Sequence, residues 1–321
     1  MRNDLVQLSH NISVVDAQYV QPKIAAVYIL AQDNNVSIIE TGTAHSVPYI
    51  LSALNELGYS ADDVSYIIPT HIHLDHAGGA GSLINQCSNA QLVIHPRGAA
   101  HMINPEKLEA GTIAVYGEEK YRSLYGALIP VPEERVIVAN DDFKLNFNGR
   151  TLLFLDSPGH ALHHFCIYDE LSQGIFSGDT FGLSYPQLTT VDGRFIFATT
   201  TPVHFDPVAM LNSIERLLSL QPKFMYLTHY GRITVTKDIT QQLVKSIHAF
   251  VAIAENEKDN VQGRVDRIEQ QMMQWLYGEL QSRHCELSEK QSRRLLQSDC
   301  NLNAQGLDVW LKRLEKNKAV Q

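Results

Sequence analysis

Four side chains of metal-ligating type fall within six positions, His71-Ile72-His73-Leu74-Asp75-His76, and they follow directly on a β-rich run, Val64-Ser65-Tyr66-Ile67-Ile68, that leads through Pro69-Thr70. Such a cluster is hard to explain as packing. On an extended segment His71 and His73 point the same way and can grip one ion, whereas Asp75 and His76 come after the chain bends and can face a second. Imidazole and carboxylate suit Zn²⁺, Fe or Mn²⁺, and the lack of cysteine ligands argues against a closed structural zinc site. Gly78-Gly79 lets the following helix start close against the cluster.

The surrounding pattern is α/β. Lys23–Leu30 and Val36–Glu40 read as strands joined through Asp33-Asn34-Asn35, a hairpin signal, and Thr41-Gly42 ends the second. Residues 46–58 carry apolar residues at helical spacing, with Ser46 as N-cap and Gly58 as stop. Short apolar runs recur at 91–95, 152–156, 174–177 and 223–227. The segment 104–135 reads as an inserted lid or a helical loop. From about 236 the texture becomes helical, with faces set by Leu243, Ile247, Phe250 and Val251, then by Ile268, Met272, Trp275 and Leu276. Two more helices are expected at SEKQSRRLL and GLDVWLKRLEK. The expected division is therefore 1–235 as a catalytic domain and 236–321 as a helical segment serving as substrate cap or dimerisation element.

Composition narrows the partners. Lys and Arg total 26 against 35 Asp and Glu, a net charge of −9, which disfavours a nucleic-acid surface. No stretch approaches the ~18–20 apolar residues of a membrane span, and the N-terminus shows no secretory signal, so a cytoplasmic protein is expected. Cys87, Cys166, Cys285 and Cys300 form no Cys-x-x-Cys pair and read as free structural thiols.

Three later motifs are ambiguous singly: Ser157-Pro158-Gly159-His160 reads as a turn, Ser177-Gly178-Asp179-Thr180 as a helix cap, and Leu227-Thr228-His229-Tyr230-Gly231 as a strand end. Following the first motif in this order, they make the chain resemble the metallo-β-lactamase-fold superfamily over most of residues 20–235. The resemblance implies a four-layer αβ/βα sandwich, here with a C-terminal all-helical appendage, and a centre of two divalent ions, zinc first and iron or manganese as alternatives. It puts His71, His73 and His160 on one metal, Asp75, His76 and His229 on the other, and Asp179 between them. It also implies hydrolysis by metal-activated water, with Asp75 orienting the nucleophile. The His-x-His-x-Asp-His form looks like the glyoxalase II and lactonase branches, so a small-molecule ester, thioester or lactone is the expected substrate. A phosphodiesterase, an iron-dependent dioxygenase or oxygen-binding protein, and a regulatory module with weak hydrolysis are the other readings. In the oxygen-reducing flavodiiron branch a Glu usually stands where His73 is. No glutathione-binding set matches, and a homodimer through 236–321 is a further expectation.

Five pocket candidates remain. Glu40 stands where family members usually carry Asp and is read as support for a ligand His or its loop. His164 reads as a pocket residue or as part of a polar strand face. His204 reads as pocket-lining, or as part of the turn in which Thr or Asp caps a helix beginning near Pro207. Tyr185 and Tyr230 are packed tyrosines or oxyanion donors. No general acid is evident.

Overall fold

The computed structural model describes residues 4–200 and 202–320. Its strands form two sheets. The first runs β1 (Leu5–Gln7), β2 (Ile12–Asp16), β3 (Ala26–Gln32), β4 (Asn35–Ile39), β5 (Val64–Ile68), β6 (Gln91–Ile94) and β7 (Val136–Val138) in spatial order. It is antiparallel through β4 and parallel beyond it. The second holds β8 (Lys144–Phe147), β9 (Arg150–Asp156), β10 (Phe165–Asp169), β11 (Gly174–Gly178), β12 (Phe224–Leu227) and β13 (Gly231–Thr234), in the order β13-β12-β11-β10-β9-β8. The hairpin expected between β3 and β4 is closed by Asp33-Asn34, with Gln32 paired to Asn35 and Asp33 at φ 53°, a conformation that Asp tolerates.

Helices α1 (Val47–Glu56), α2 (Leu74–Ala77), α3 (Ala80–Gln86), α4 (Pro96–Ile103), α5 (Glu106–Tyr116), α6 (Glu118–Tyr125) and α7 (Pro207–Ser219) intervene between strands, and α8 (Lys237–Asn256), α9 (Arg264–Ser282) and α10 (Glu289–Val320) follow them. The segment 104–135 is thus helical over α5 and α6. The two terminal helices expected from the sequence are one continuous α10. Ser46 precedes α1 as expected but makes no side-chain cap; its hydroxyl donates to Ala17 O at 2.7 Å and accepts from Thr43 N at 3.1 Å, and a proline in the first turn starts the helix.

By compactness the chain forms two units, one of residues 1–156, 163–178 and 222–232, the other of 157–162, 179–221 and 233–321. In the first, strand alternation sorts the side chains. Val27, Ile29, Val36, Ile38, Ile67 and Leu92 are buried with Ile50 and Leu54 of α1, Leu83 of α3 and Met102 of α4. Tyr28, on the opposite face of β3, meets Phe176 at 5.1 Å and Tyr226 at 5.7 Å between ring centroids, so the second sheet covers the first.

The second unit is a helical assembly. Leu243, Ile247 and Phe250 of α8, Ile268, Met272 and Leu276 of α9, and Leu296, Cys300, Ala304, Leu307 and Leu311 of α10 are buried stripes at helical spacing. Asp238 binds Arg283 at 2.8 Å and Glu257 binds Arg267 at 2.7 Å, one ion pair near each end of the α8–α9 pair.

A candidate metal centre

β5 delivers Thr70 and His71 directly off its end, and α2 begins at Leu74 with His73 in extended geometry just before it. His71 and His76 are fully buried, His229 is 5% exposed, and Asp75 keeps 22% side-chain exposure. His71 Nε2 and His73 Nδ1 approach to 2.8 Å, and the rings of His71 and His76 lie 4.0 Å apart. Asp75, His76 and His229 each offer a ligand atom within 4.8 Å of the others. Asp75 Oδ2 is 3.8 Å from His76 Nε2 and 3.5 Å from His229 Nε2. Ligands at ~2.0–2.2 Å from a tetrahedral ion stand roughly 3.4 Å apart, so this donor set fits a metal.

The far ring nitrogens fix which atoms are left to face an ion. His76 Nδ1 lies 3.0 Å from Glu40 Oε1, and His229 Nδ1 lies 2.8 Å from Ile24 O. Both partners are acceptors, so Nδ1 carries the proton and Nε2 the lone pair, the tautomer a metal ligand needs. Thr70 Oγ1 donates to Glu40 Oε1 at 2.6 Å and therefore accepts from His71 Nδ1 at 3.1 Å, which sets His71 in the same way.

Glu40 is the hub of this arrangement. It is 1% exposed and follows β4 at φ 66°. Its carboxylate accepts from Thr70 N at 3.1 Å, from Thr70 Oγ1, from His76 Nδ1 and from Thr228 Oγ1 at 2.8 Å. Two segments that carry candidate ligands, 70–76 and 228–229, are thus tied to one side chain. Sequence reasoning singled out Glu40 but not Thr70 or Thr228; their place directly before His71 and His229 was the available signal.

In the second unit His160 is 1% and Asp179 5% exposed, and His160 Nε2 lies 3.4 Å from Asp179 Oδ2, again a ligand-to-ligand spacing. Gly159, at φ 125°, lets the chain pass α7, where an added Cβ would stand 2.3 Å from Met210 N. α7 begins as expected, with Asp206 accepting from Ala209 N at 3.0 Å.

The remaining candidates separate clearly. His164 is fully buried with its ring 4.8 Å from that of His71, so it is no solvent-facing strand residue. Gly178 makes room for it: an added Cβ there would lie 2.4 Å from His164 Nε2. His163, which follows His160 at i+3 and to which the sequence assigns no role, stacks on His71 at 6.1 Å. Tyr230 is 7% exposed. Tyr185 is buried and donates to Asp299 Oδ1 of α10 at 3.1 Å, a packed role. His204 is half-buried in the turn before α7.

A tyrosine cluster borders the ligand loop. Leu74, between His73 and Asp75, is buried with Tyr121 and Tyr125, and Tyr19 and Tyr116 pack against them. The hydroxyls of Tyr19 and Tyr125 are 3.3 Å apart. Burial pushes the phenol of Tyr125 far up, with the charge of Asp75 adding to the shift, and the same two causes raise Tyr116 against a hydrogen bond that lowers it. Both shifts favour the protonated phenol.

A sequence model of the metallo-β-lactamase superfamily matches residues 20–229. The chain belongs to this superfamily. A metallo-β-lactamase fold-containing protein of Sulfurisphaera tokodaii, ST1585, is 24% identical over 217 residues, 66% of this chain and 75% of that protein. Its crystal structure superposes with a TM-score of 0.65 at 20% identity, covering 94% of this chain and 99% of that one. An N-acyl homoserine lactonase of Bacillus thuringiensis is 28% identical over 205 residues, 63% of this chain and 66% of the lactonase, so the chain spans just under two thirds of that relative's length. The chemotaxis sensor ODP, solved as a peroxy diiron species, shares the fold at a TM-score of 0.54 and 14% identity over 76% of this chain and 94% of that one. The fold is the αβ/βα sandwich of the metallo-β-lactamase superfamily, followed by the helices α8–α10. Among the described residues no helix is long and apolar enough to cross a membrane.

Proposed function

We propose that this chain is a hydrolase that holds two divalent ions, zinc in the first place, and cleaves an ester-type bond, a thioester or lactone, in a small molecule. The observation that carries the reading is the Asp75, His76 and His229 trio: ligand-spaced atoms, with Nδ1 of both histidines committed to acceptors. On the pattern of the superfamily, His71, His73 and His160 hold one ion, Asp75, His76 and His229 the other, and Asp179 both. Ions bound there supply Lewis acidity and water activated at neutral pH. Asp75, the ligand of this trio that keeps solvent exposure, accepts a hydrogen bond from the attacking water and so orients it. Glu40 keeps His76 and His71 in the ligating tautomer. The lactonase among the relatives supports the substrate class.

The test is metal analysis of purified protein together with turnover on a panel of thioesters and lactones. Two zinc ions per chain and turnover of one class are expected. Iron with oxygen uptake and no ester turnover would overturn the reading in favour of redox chemistry, which the diiron sensor of the same fold makes the natural rival. Asp179→Ala is expected to lose both metal and turnover, and normal activity in that variant would sink the ligand assignment.

A further inference from the structure

We infer that Asn303, in the middle of α10, is a positioning residue for Asp179, so that the C-terminal helices hold part of the metal centre in place; this rests on the reading of Asp179 as a ligand. Asn303 is 1% exposed. Its Oδ1 accepts from Thr200 N at 2.6 Å and from Thr199 Oγ1 at 3.4 Å, its Nδ2 donates to Ala198 O at 3.4 Å, and its carbonyl accepts from Thr200 Oγ1 at 2.9 Å. One buried amide thus fixes three consecutive residues of an irregular segment. Ser246 and Gln242 of α8 extend the clamp, accepting from Ala198 N at 2.8 Å and Ile196 N at 3.3 Å.

The clamped segment leads back to the ligand. Phe197 and Leu183 exchange both backbone hydrogen bonds, at 2.8 and 3.1 Å, and Gly182 N donates to Asp179 O at 3.0 Å. Tyr185, on the same loop, is tied to Asp299, one turn before Asn303 on α10. Gly182 is pressed so close that an added Cβ would stand 2.4 Å from Phe197 O and 2.8 Å from Leu243 of α8. From Asn303 to Asp179 every step is a hydrogen bond or a closed contact within one unit. Displacement at Ala198–Thr200 is therefore passed to the carboxylate, and ligand geometry is sensitive to shifts of well under an ångström.

The test reads metal retention, whatever the substrate proves to be. Zinc-loaded protein is transferred into excess chelator and zinc release is followed with time, alongside thermal unfolding. Asn303→Ala is expected to release zinc roughly tenfold faster than the native chain, the usual penalty for losing an outer support of a ligand. Asn303→Asp, which keeps the acceptor for Thr200 N, should release zinc more slowly than the alanine variant. Asp308→Ala, on the same helix as Asn303, breaks the 2.7 Å pair with Arg264 of α9 and should lower the unfolding midpoint while leaving zinc release unchanged. Equal release by Asn303→Ala and Asp308→Ala at similar loss of stability would overturn the inference, because Asn303 would then be structural only. Should Asn303→Ala fail to fold, Tyr185→Phe decides: faster release supports the clamp and native release overturns it. Asp179→Ala separates the two levels, since undiminished zinc retention there refutes the ligand reading itself, whereas lost retention there with native release in Asn303→Ala refutes only the clamp.

Discussion

At the scale of the residue, Glu40 decides how well the loops that carry the candidate ligands are held. Four donors converge on its carboxylate, and a buried acceptor of that kind has no isosteric substitute: Glu40→Gln would set an amide NH₂ against donors that need an oxygen. We expect Glu40→Gln to lose about 2–3 kcal/mol of stability and about 10–100-fold in metal affinity. Glu40→Asp, one methylene shorter, should fall between. Urea unfolding and zinc titration check this, and native zinc affinity in Glu40→Gln would refute the hub role. The candidate ligands are legible in the sequence because His71, His73, Asp75 and His76 stand within six positions. Glu40 is legible as a support, but Thr70 and Thr228 are not, since Thr228 meets Glu40 across 188 positions and Thr70 meets it across 30. No local pattern encodes such a contact; only the pairing of β4 with β5 and the closing of the second sheet create it.

At the scale of the element, most strands and the helices α1, α8 and α9 follow from apolar periodicity, and α10 shows where that reading stops. Asn303 and Gly306 are weak helix formers, and they suggest two short helices. The buried stripe from Leu296 to Leu311 and the bonds of Asn303 override that propensity, and the helix runs through. The α8–α9 pair carries a pH signature. Hydrogen bonding to Arg283 lowers the Asp238 carboxyl below its ordinary 3.8, and hydrogen bonding to Arg267 lowers Glu257 below 4.5. Because the folded values are the lower ones, both pairs contribute fully above the ordinary values, and the contribution fades as pH falls through the folded values. Asp238 is half exposed, so Arg283→Ala should cost only ~0.5 kcal/mol near neutral pH. Melting followed by helical circular dichroism should show the gap between native and Arg283→Ala closing in acid. A gap that stays constant down to about pH 2 would exclude the ion pair as its source.

At the scale of the whole molecule, the sequence suggests a catalytic part ending at 235 with helices appended, whereas the chain packs residues 157–162 and 179–221 into one unit with 233–321. This bears on what a truncation after residue 235 would do. The backbone amides of Ile196, Ala198 and Thr200 would lose the side-chain acceptors that Gln242, Ser246 and Asn303 now supply, and each buried amide so stranded costs roughly 1–3 kcal/mol. Phe205 would lose the Arg313 guanidinium that binds its carbonyl and the Trp310 ring 6.3 Å away. Summed against the ~5–15 kcal/mol that a folded chain has in hand, these losses leave the loop that starts at Asp179 without a defined conformation. The truncated chain is therefore expected to lack a cooperative melting transition and to retain less zinc than the full chain. Size-exclusion chromatography, calorimetry and zinc analysis of residues 1–235 would check it. A truncated protein that melts cooperatively and holds its zinc, losing only self-association, would make 236–321 an assembly element and remove the case for Asn303 as well.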